Sequence, residues 1–131
     1  MPKINGWFTN YDPQLSYMSR LKEIKPHELV NLIQENDRLE LIDIRTPAEI
    51  ERGVIPNAKT LPMHLIPLNI EYFSLSQNQI VIYCRTGSRS AQACRFLNKQ
   101  GINNVINLRG GIIQWASGGM QLDPAPLDTI A

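Results

Sequence analysis

Two short runs of almost unbroken apolar residues constrain this chain most. One is Leu39–Ile44, where Leu41, Ile42 and Ile44 are apolar, and the other is Ile80-Val81-Ile82-Tyr83. Runs of this kind read as strands covered on both faces, which occur where helices pack on either side of a mainly parallel sheet. The segments between them have the matching character. Pro26 opens a helix to about Asn36 with an apolar stripe of Leu29, Val30 and Ile33, proline being tolerated where the first helical N–H has no partner. Thr46-Pro47-Ala48-Glu49 is a capping box, in which the Thr46 hydroxyl accepts from the Glu49 N–H and the Glu49 carboxylate returns the bond. Gly53 stops that short helix.

Further elements follow in the same alternation. Leu21–Ile24, Ala58–Leu61 and Val105–Leu108 read as strands, and His64–Tyr72 as a helix. A longer helix runs to about Gln100 with Ala93, Cys94, Phe96 and Leu97 facing the core, and Gly101 caps it in the left-handed conformation. Ile112–Ser117 is a last short helix, after which Pro124 and Pro126 leave the final dozen residues extended or frayed. Strand and helix alternate throughout, so the class is α/β with a mainly parallel sheet. Residues 1–19 have no clear period and read as an N-terminal extension that packs on the domain or joins copies of it. Residues 20–118 read as one domain and 119–131 as a C-terminal tail.

Composition excludes several classes. A chain of 131 residues that is 43% hydrophobic and 19% charged suits one packed core rather than disorder. A net charge of +1 gives no reason to expect nucleic acid or a membrane surface as partner. No apolar run approaches the roughly 20 residues that span a bilayer. The first residues lack the sustained apolar stretch of a secretory signal. Cys84 and Cys94 are too few for a disulfide framework, and with His27 and His64 they fit no metal spacing. The expectation is a cytoplasmic protein with free thiols, no metal and no organic cofactor.

The chemistry concentrates in Cys84-Arg85-Thr86-Gly87-Ser88-Arg89, which joins the buried strand to the helix behind it. Ligands of open α/β sheets bind where strands end and helices begin. The backbone N–H groups of such a loop point inward, and the helix adds its positive end. Arg85 and Arg89 bring further positive charge, and Gly87 allows close backbone approach. Together these favour an anion, first the Cys84 thiolate and then an oxyanion. The alternative is that Cys84 is a small buried hydrophobe and the arginines are solvated. Two arginines and a glycine within five positions of the cysteine weigh against it. Cys94 reads as a core residue rather than a resolving thiol. Asp43 and Arg45 lie at a strand end on the same rim, where Asp43 accepts from a nearby turn and Arg45 pairs with Glu49. Arg109 lies just past another strand end, and Trp115 packs the last helix on the sheet.

That loop resembles the active-site loop of rhodanese domains, and three further segments extend the resemblance. Leu41-Ile42-Asp43-Ile44-Arg45-Thr46-Pro47-Ala48-Glu49 is similar to the family's first signature. Gly53-Val54-Ile55-Pro56-Asn57-Ala58 is similar to its glycine, His-Ile-Pro-Gly-Ala turn, and Leu108-Arg109-Gly110-Gly111 with Trp115 to its closing signature. The resemblance implies a rhodanese-like fold with a five-stranded, mainly parallel sheet and helices on both faces. It also implies sulfur transfer through a persulfide on Cys84, with Arg85, Thr86, Gly87, Ser88 and Arg89 binding substrate and Asp43 and Arg45 in support. The implied partners are a small anionic sulfur donor such as thiosulfate, and cyanide or a thiol as acceptor.

Val54 and Asn57 depart from the turn signature at positions with no expected chemistry. Thr86 stands where the tandem-domain thiosulfate enzymes carry a basic residue. Two other readings differ in class. A sulfur carrier or docking module would use Cys84 with little turnover. Phosphatases and arsenate reductases on a related fold place an arginine six positions after the cysteine, where this chain has Ser90 and Arg89 comes five after. The shorter ring suits sulfur better than a tetrahedral phosphate.

Overall fold

The computed structural model describes residues 21–130, and the N-terminal extension read over residues 1–19 lies outside them. Five strands are present: β1 (Glu23–Ile24), β2 (Glu40–Asp43), β3 (Lys59–Thr60), β4 (Ile80–Tyr83) and β5 (Val105–Leu108). They alternate with helices α1 (Pro26–Glu35), α2 (Pro47–Ile50), α3 (Ile70–Leu75), α4 (Ser88–Lys99) and α5 (Gly111–Ser117), and a 3-10 helix covers Met63–Asn69. The sheet order is β1-β5-β4-β2-β3 with every pairing parallel. This is the α/β class and five-stranded sheet that the alternation and the resemblance imply.

The period of two along a strand divides the core between the two faces. Ile80 and Ile82 of β4 pack with Ile42, Phe73, Cys94 and Leu97, beneath α3 and α4. Val81 and Tyr83 pack on the other side with Leu41, Leu29, Ile106, Leu108 and Trp115, beneath α1 and α5. All four residues of β4 are fully buried, which is why its run has no polar position. Trp115 takes the packing role expected of it, and its indole N–H donates to the Gln121 carbonyl at 2.9 Å.

The structure corrects two expectations and decides between the alternatives of a third. The helix expected over His64–Tyr72 is two pieces, because Pro67 has no N–H to donate and the chain tightens into a 3-10 helix before α3 begins at Ile70. The tail is extended but not frayed. Val54 and Asp123 exchange backbone bonds at 2.8 Å, and the Ile130 N–H donates to the Thr60 carbonyl at 2.9 Å, so the tail closes the exposed edge of β3. The outer strands β1 and β3 are two residues each, shorter than the apolar runs that suggested them.

Asn57, at a departure from the turn signature, has φ of 69°. The left-handed conformation there explains why glycine suits the position and why asparagine, among other residues, is accepted. Among the described residues no helix is long and apolar enough to cross a membrane.

Candidate active site

The loop between β4 and α4 forms a ring around the Cys84 sulfur. Gly87 makes the turn possible. Its φ is 99°, and a Cβ there would come within 3.0 Å of the Gly110 nitrogen. Gly111 backs the ring from the other side, where a Cβ would lie 2.4 Å from the Arg85 carbonyl oxygen. The Ile112 and Ile113 N–H groups donate to the carbonyls of Cys84 and Arg85 at 3.0 and 3.1 Å. Helix α4 starts at Ser88, so Arg89 and Ser90 belong to its first turn rather than to the loop before it.

Cys84 has no exposed surface, and its Sγ accepts three hydrogen bonds. The Gly87 N–H donates at 3.1 Å, the Ser90 N–H at 3.4 Å and the Ser90 hydroxyl at 3.4 Å. Burial pushes the thiol up, but the Ser90 hydroxyl and the N–H groups of Ser90, Gly87 and Thr86 outweigh it and hold the thiol below its ordinary value. The N-terminus of the twelve-residue α4 adds its positive end. The arrangement can hold a thiolate, and after it any anion that replaces the proton's place in the ring. Cys94, on the buried face of α4, is the opposite case: burial pushes its thiol up to about 12. It lies in the core, as its place on the apolar helix face suggests.

The charged residues are distributed differently from the expectation. Arg45 does not pair with Glu49. Its guanidinium forks onto the Asp43 carboxylate at 2.7 Å and caps the carbonyls of Gly53 and Glu49 at 2.7 and 3.1 Å. Both residues are buried, and all three guanidinium nitrogens of Arg45 donate to Asp43, Glu49 or Gly53. Asp43 also accepts the Arg45 backbone N–H at 2.9 Å, which is the turn expected of it. The Glu49 carboxylate, fixed by the capping box with Thr46, takes Arg89 instead, through two bonds of 2.9 and 2.8 Å. Arg89 therefore spends its fork on a neighbour. Arg85, Thr86 and Ser88 are exposed on the rim, and Arg109 is exposed behind it.

Two residues at the ring were not singled out from sequence. Ser90 supplies two of the three donors to Cys84. Asn107, fully buried on β5, accepts from the Ser90 hydroxyl with its Oδ1, while its Nδ2 donates to Glu23 at 2.8 Å and to the Gly87 carbonyl at 3.3 Å. The available signal was a polar side chain in the otherwise apolar run Val105-Ile106-Asn107-Leu108, since a buried amide needs partners. Among the described residues no group of three or more His, Cys, Asp or Glu side chains is placed to hold a metal.

Comparison with known proteins places the chain in a family. The profile of the Rhodanese-like domain matches residues 25–118. A sulfurtransferase of Allochromatium vinosum is 47% identical over 102 residues, which cover 78% of this chain and 94% of that one. A putative sulfurtransferase of Bacillus subtilis is 36% identical over 72% of this chain and 90% of its own. The probable adenylyltransferase/sulfurtransferase MoeZ of Mycobacterium tuberculosis is 37% identical, but the match spans only 24% of its length. Among solved structures, a rhodanese-like domain protein of Staphylococcus aureus superposes with a TM-score of 0.69 at 35% identity, over 79% of this chain and 99% of that one.

Proposed function

Because the chain belongs to the rhodanese-like domain family, we propose that it is a sulfurtransferase whose Cys84 carries the sulfur as a persulfide, within a catalytic unit of residues 20–118. The observation that carries this reading is the ring of donors on Cys84 Sγ at 3.1 to 3.4 Å, at the start of α4.

The reaction has two steps. The Cys84 thiolate attacks the outer sulfur of a donor such as thiosulfate. A sulfur–sulfur bond forms at Cys84 as the donor's own sulfur–sulfur bond breaks, and sulfite leaves with the electron pair. Cyanide or a thiolate then attacks the terminal sulfur of the persulfide, and the Cys84 thiolate departs. Covalent catalysis of this kind divides one displacement into two. The loop N–H groups and the Ser90 hydroxyl stabilise negative charge on sulfur in both steps. Arg85 and the rim hydroxyls of Thr86 and Ser88 orient the donor, and Asp43 and Arg45 support the ring from below. Cys84 is fully buried, so a donor reaches it by displacing atoms that cover the sulfur. The chemistry calls for no metal or organic cofactor, and free thiols at both cysteines suit a reducing cytoplasm.

The test is steady-state transfer from thiosulfate to cyanide, followed as thiocyanate. Parallel lines in double-reciprocal plots and complete loss in Cys84→Ser are expected. Activity retained in Cys84→Ser would contradict the assignment.

A further inference from the structure

Glu49 has a consequence for the donor that the persulfide mechanism alone does not require. Four charged side chains beside the ring cancel in pairs. Asp43 neutralises Arg45 at 2.7 Å, with both side chains buried. Glu49 neutralises Arg89 through its two-pronged bridge. Only Arg85 among the loop's basic residues makes no ion pair among the described residues. The bridge also has a place. Glu49 lines one groove beside the loop, a cavity of about 310 Å³ that it shares with Arg52, Arg85, Ile112 and Ile113. Arg89 lines a second, of about 480 Å³, with Pro47, Met63 and His64. The ion pair therefore joins the walls of the two grooves that flank Arg45.

We propose that Glu49 is a specificity-determining residue: by engaging Arg89 it biases the site against dianionic donors such as thiosulfate and toward hydropersulfides of small thiols. The inference rests on the sulfurtransferase reading and narrows its donor class.

Charge counting along each step gives the reason. With thiosulfate, a thiolate and a dianion come together, and the products are a persulfide anion and sulfite. Three negative charges gather in a site with one uncompensated loop guanidinium. With a hydropersulfide, the thiolate attacks the terminal sulfur of a neutral R–S–SH, the S–S bond breaks, and R–S⁻ leaves with the electron pair. The product is Cys84–S–SH, and one negative charge is present throughout. The donors on Cys84 and the start of α4 suffice for a single charge. For three, the missing partner is the arginine that Glu49 holds. Arg52 does not replace it, because it is exposed at the outer groove, where solvent and salt screen it.

The capping box makes the test clean. Glu49→Gln keeps an amide oxygen to accept the Thr46 N–H, as glutamine does at this position of a capping box, while it removes the charge that retains Arg89. The measurement is kcat/KM for sulfur loading of Cys84 from thiosulfate and from 2-hydroxyethyl hydropersulfide, whose reacting protonated form is neutral, at one fixed pH and two salt concentrations. The unmodified chain is expected to load faster from the hydropersulfide. In Glu49→Gln the thiosulfate-to-hydropersulfide ratio should rise about threefold to tenfold, less at high salt, as for one partly exposed charge. The rise should vanish in Glu49→Gln/Arg89→Ala, because it requires the freed guanidinium. A ratio unmoved by Glu49→Gln, or thiosulfate as the faster donor in the unmodified chain, would overturn the inference and leave the sulfurtransferase reading standing. Failure of both donors to load Cys84 would remove that reading and this inference with it.

Discussion

Asn107 holds the hydroxyl of Ser90, which in turn lies 3.4 Å from the Cys84 sulfur. The hydroxyl has one proton and three acceptors within reach: Cys84 Sγ, Asn107 Oδ1 and the Gly87 carbonyl at 3.2 Å. A neutral thiol leaves that proton with the amide or the carbonyl. A thiolate or persulfide anion draws it toward sulfur, since hydrogen bonds to charged acceptors are the stronger ones. The amide of Asn107 cannot turn freely, because Glu23 and Gly87 accept from its nitrogen.

Ser90→Ala removes the largest hydrogen-bonding contribution that lowers the Cys84 thiol. The alkylation profile of Cys84 against pH should move to higher pH, and the rate at pH 7 should fall about threefold to tenfold. Asn107→Leu should move it the same way by a smaller amount, because the hydroxyl remains but is no longer steered. An unmoved profile in Ser90→Ala would show that the backbone and α4 alone hold the thiolate.

Cys94 should be chemically silent in the native protein. Its thiol, pushed up to about 12 by burial, is protonated at neutral pH and lies in the core. Iodoacetamide at pH 7.5 should add one group to the folded chain, on Cys84, and two after denaturation. Cys94→Ala should cost about 1 kcal/mol of stability through the small cavity it leaves, with sulfur transfer little changed.

Tyr83→Phe tests how the ring is supported from the opposite face. The buried Tyr83 hydroxyl accepts the Ile55 N–H at 2.9 Å, and the variant leaves that N–H without a partner. Loss of about 1–3 kcal/mol in urea unfolding is expected. A change under 0.5 kcal/mol would mean the turn at Ile55 finds another acceptor.

Glu49 should also mark the acid side of the stability curve. Arg89, chiefly, lowers its carboxyl from 4.5 to about 2. The folded value lies below the unfolded one, so the carboxylate stabilises the fold above the unfolded value. That contribution is lost as pH falls from about 4.5 to about 2. Unfolding free energy measured over this window should fall less steeply in Glu49→Gln than in the unmodified chain. The pair is partly exposed, so the difference is modest and shrinks with salt.

How much of this was legible in the sequence depended on the range of the interaction. The strands β4 and β5 have the limits their apolar runs suggest, Ile80–Tyr83 and Val105–Leu108, because burial on both faces selects every residue. The capping box was equally plain, since Thr46 and Glu49 read each other within one turn. Partner choice over longer distances was not. Glu49 is four residues from Arg45 and forty from Arg89, yet it takes the distant arginine, because Asp43 already occupies Arg45. Asn107 reaches Ser90 across seventeen residues, a contact that only the adjacency of β5 and α4 creates. The position of Cys84 at a strand-to-helix turn could be read directly; the state of the arginines around it could not.

The most direct test of the account is the intact mass of the folded protein after exposure to a sulfur donor and then to cyanide. Incubation with thiosulfate or 2-hydroxyethyl hydropersulfide should add one sulfur atom, peptide mapping should place it on Cys84, and cyanide should remove it as thiocyanate. The Cys84→Ser variant should gain nothing. If neither donor adds sulfur to the unmodified chain, or if the added sulfur resides on Cys94, the persulfide account is contradicted.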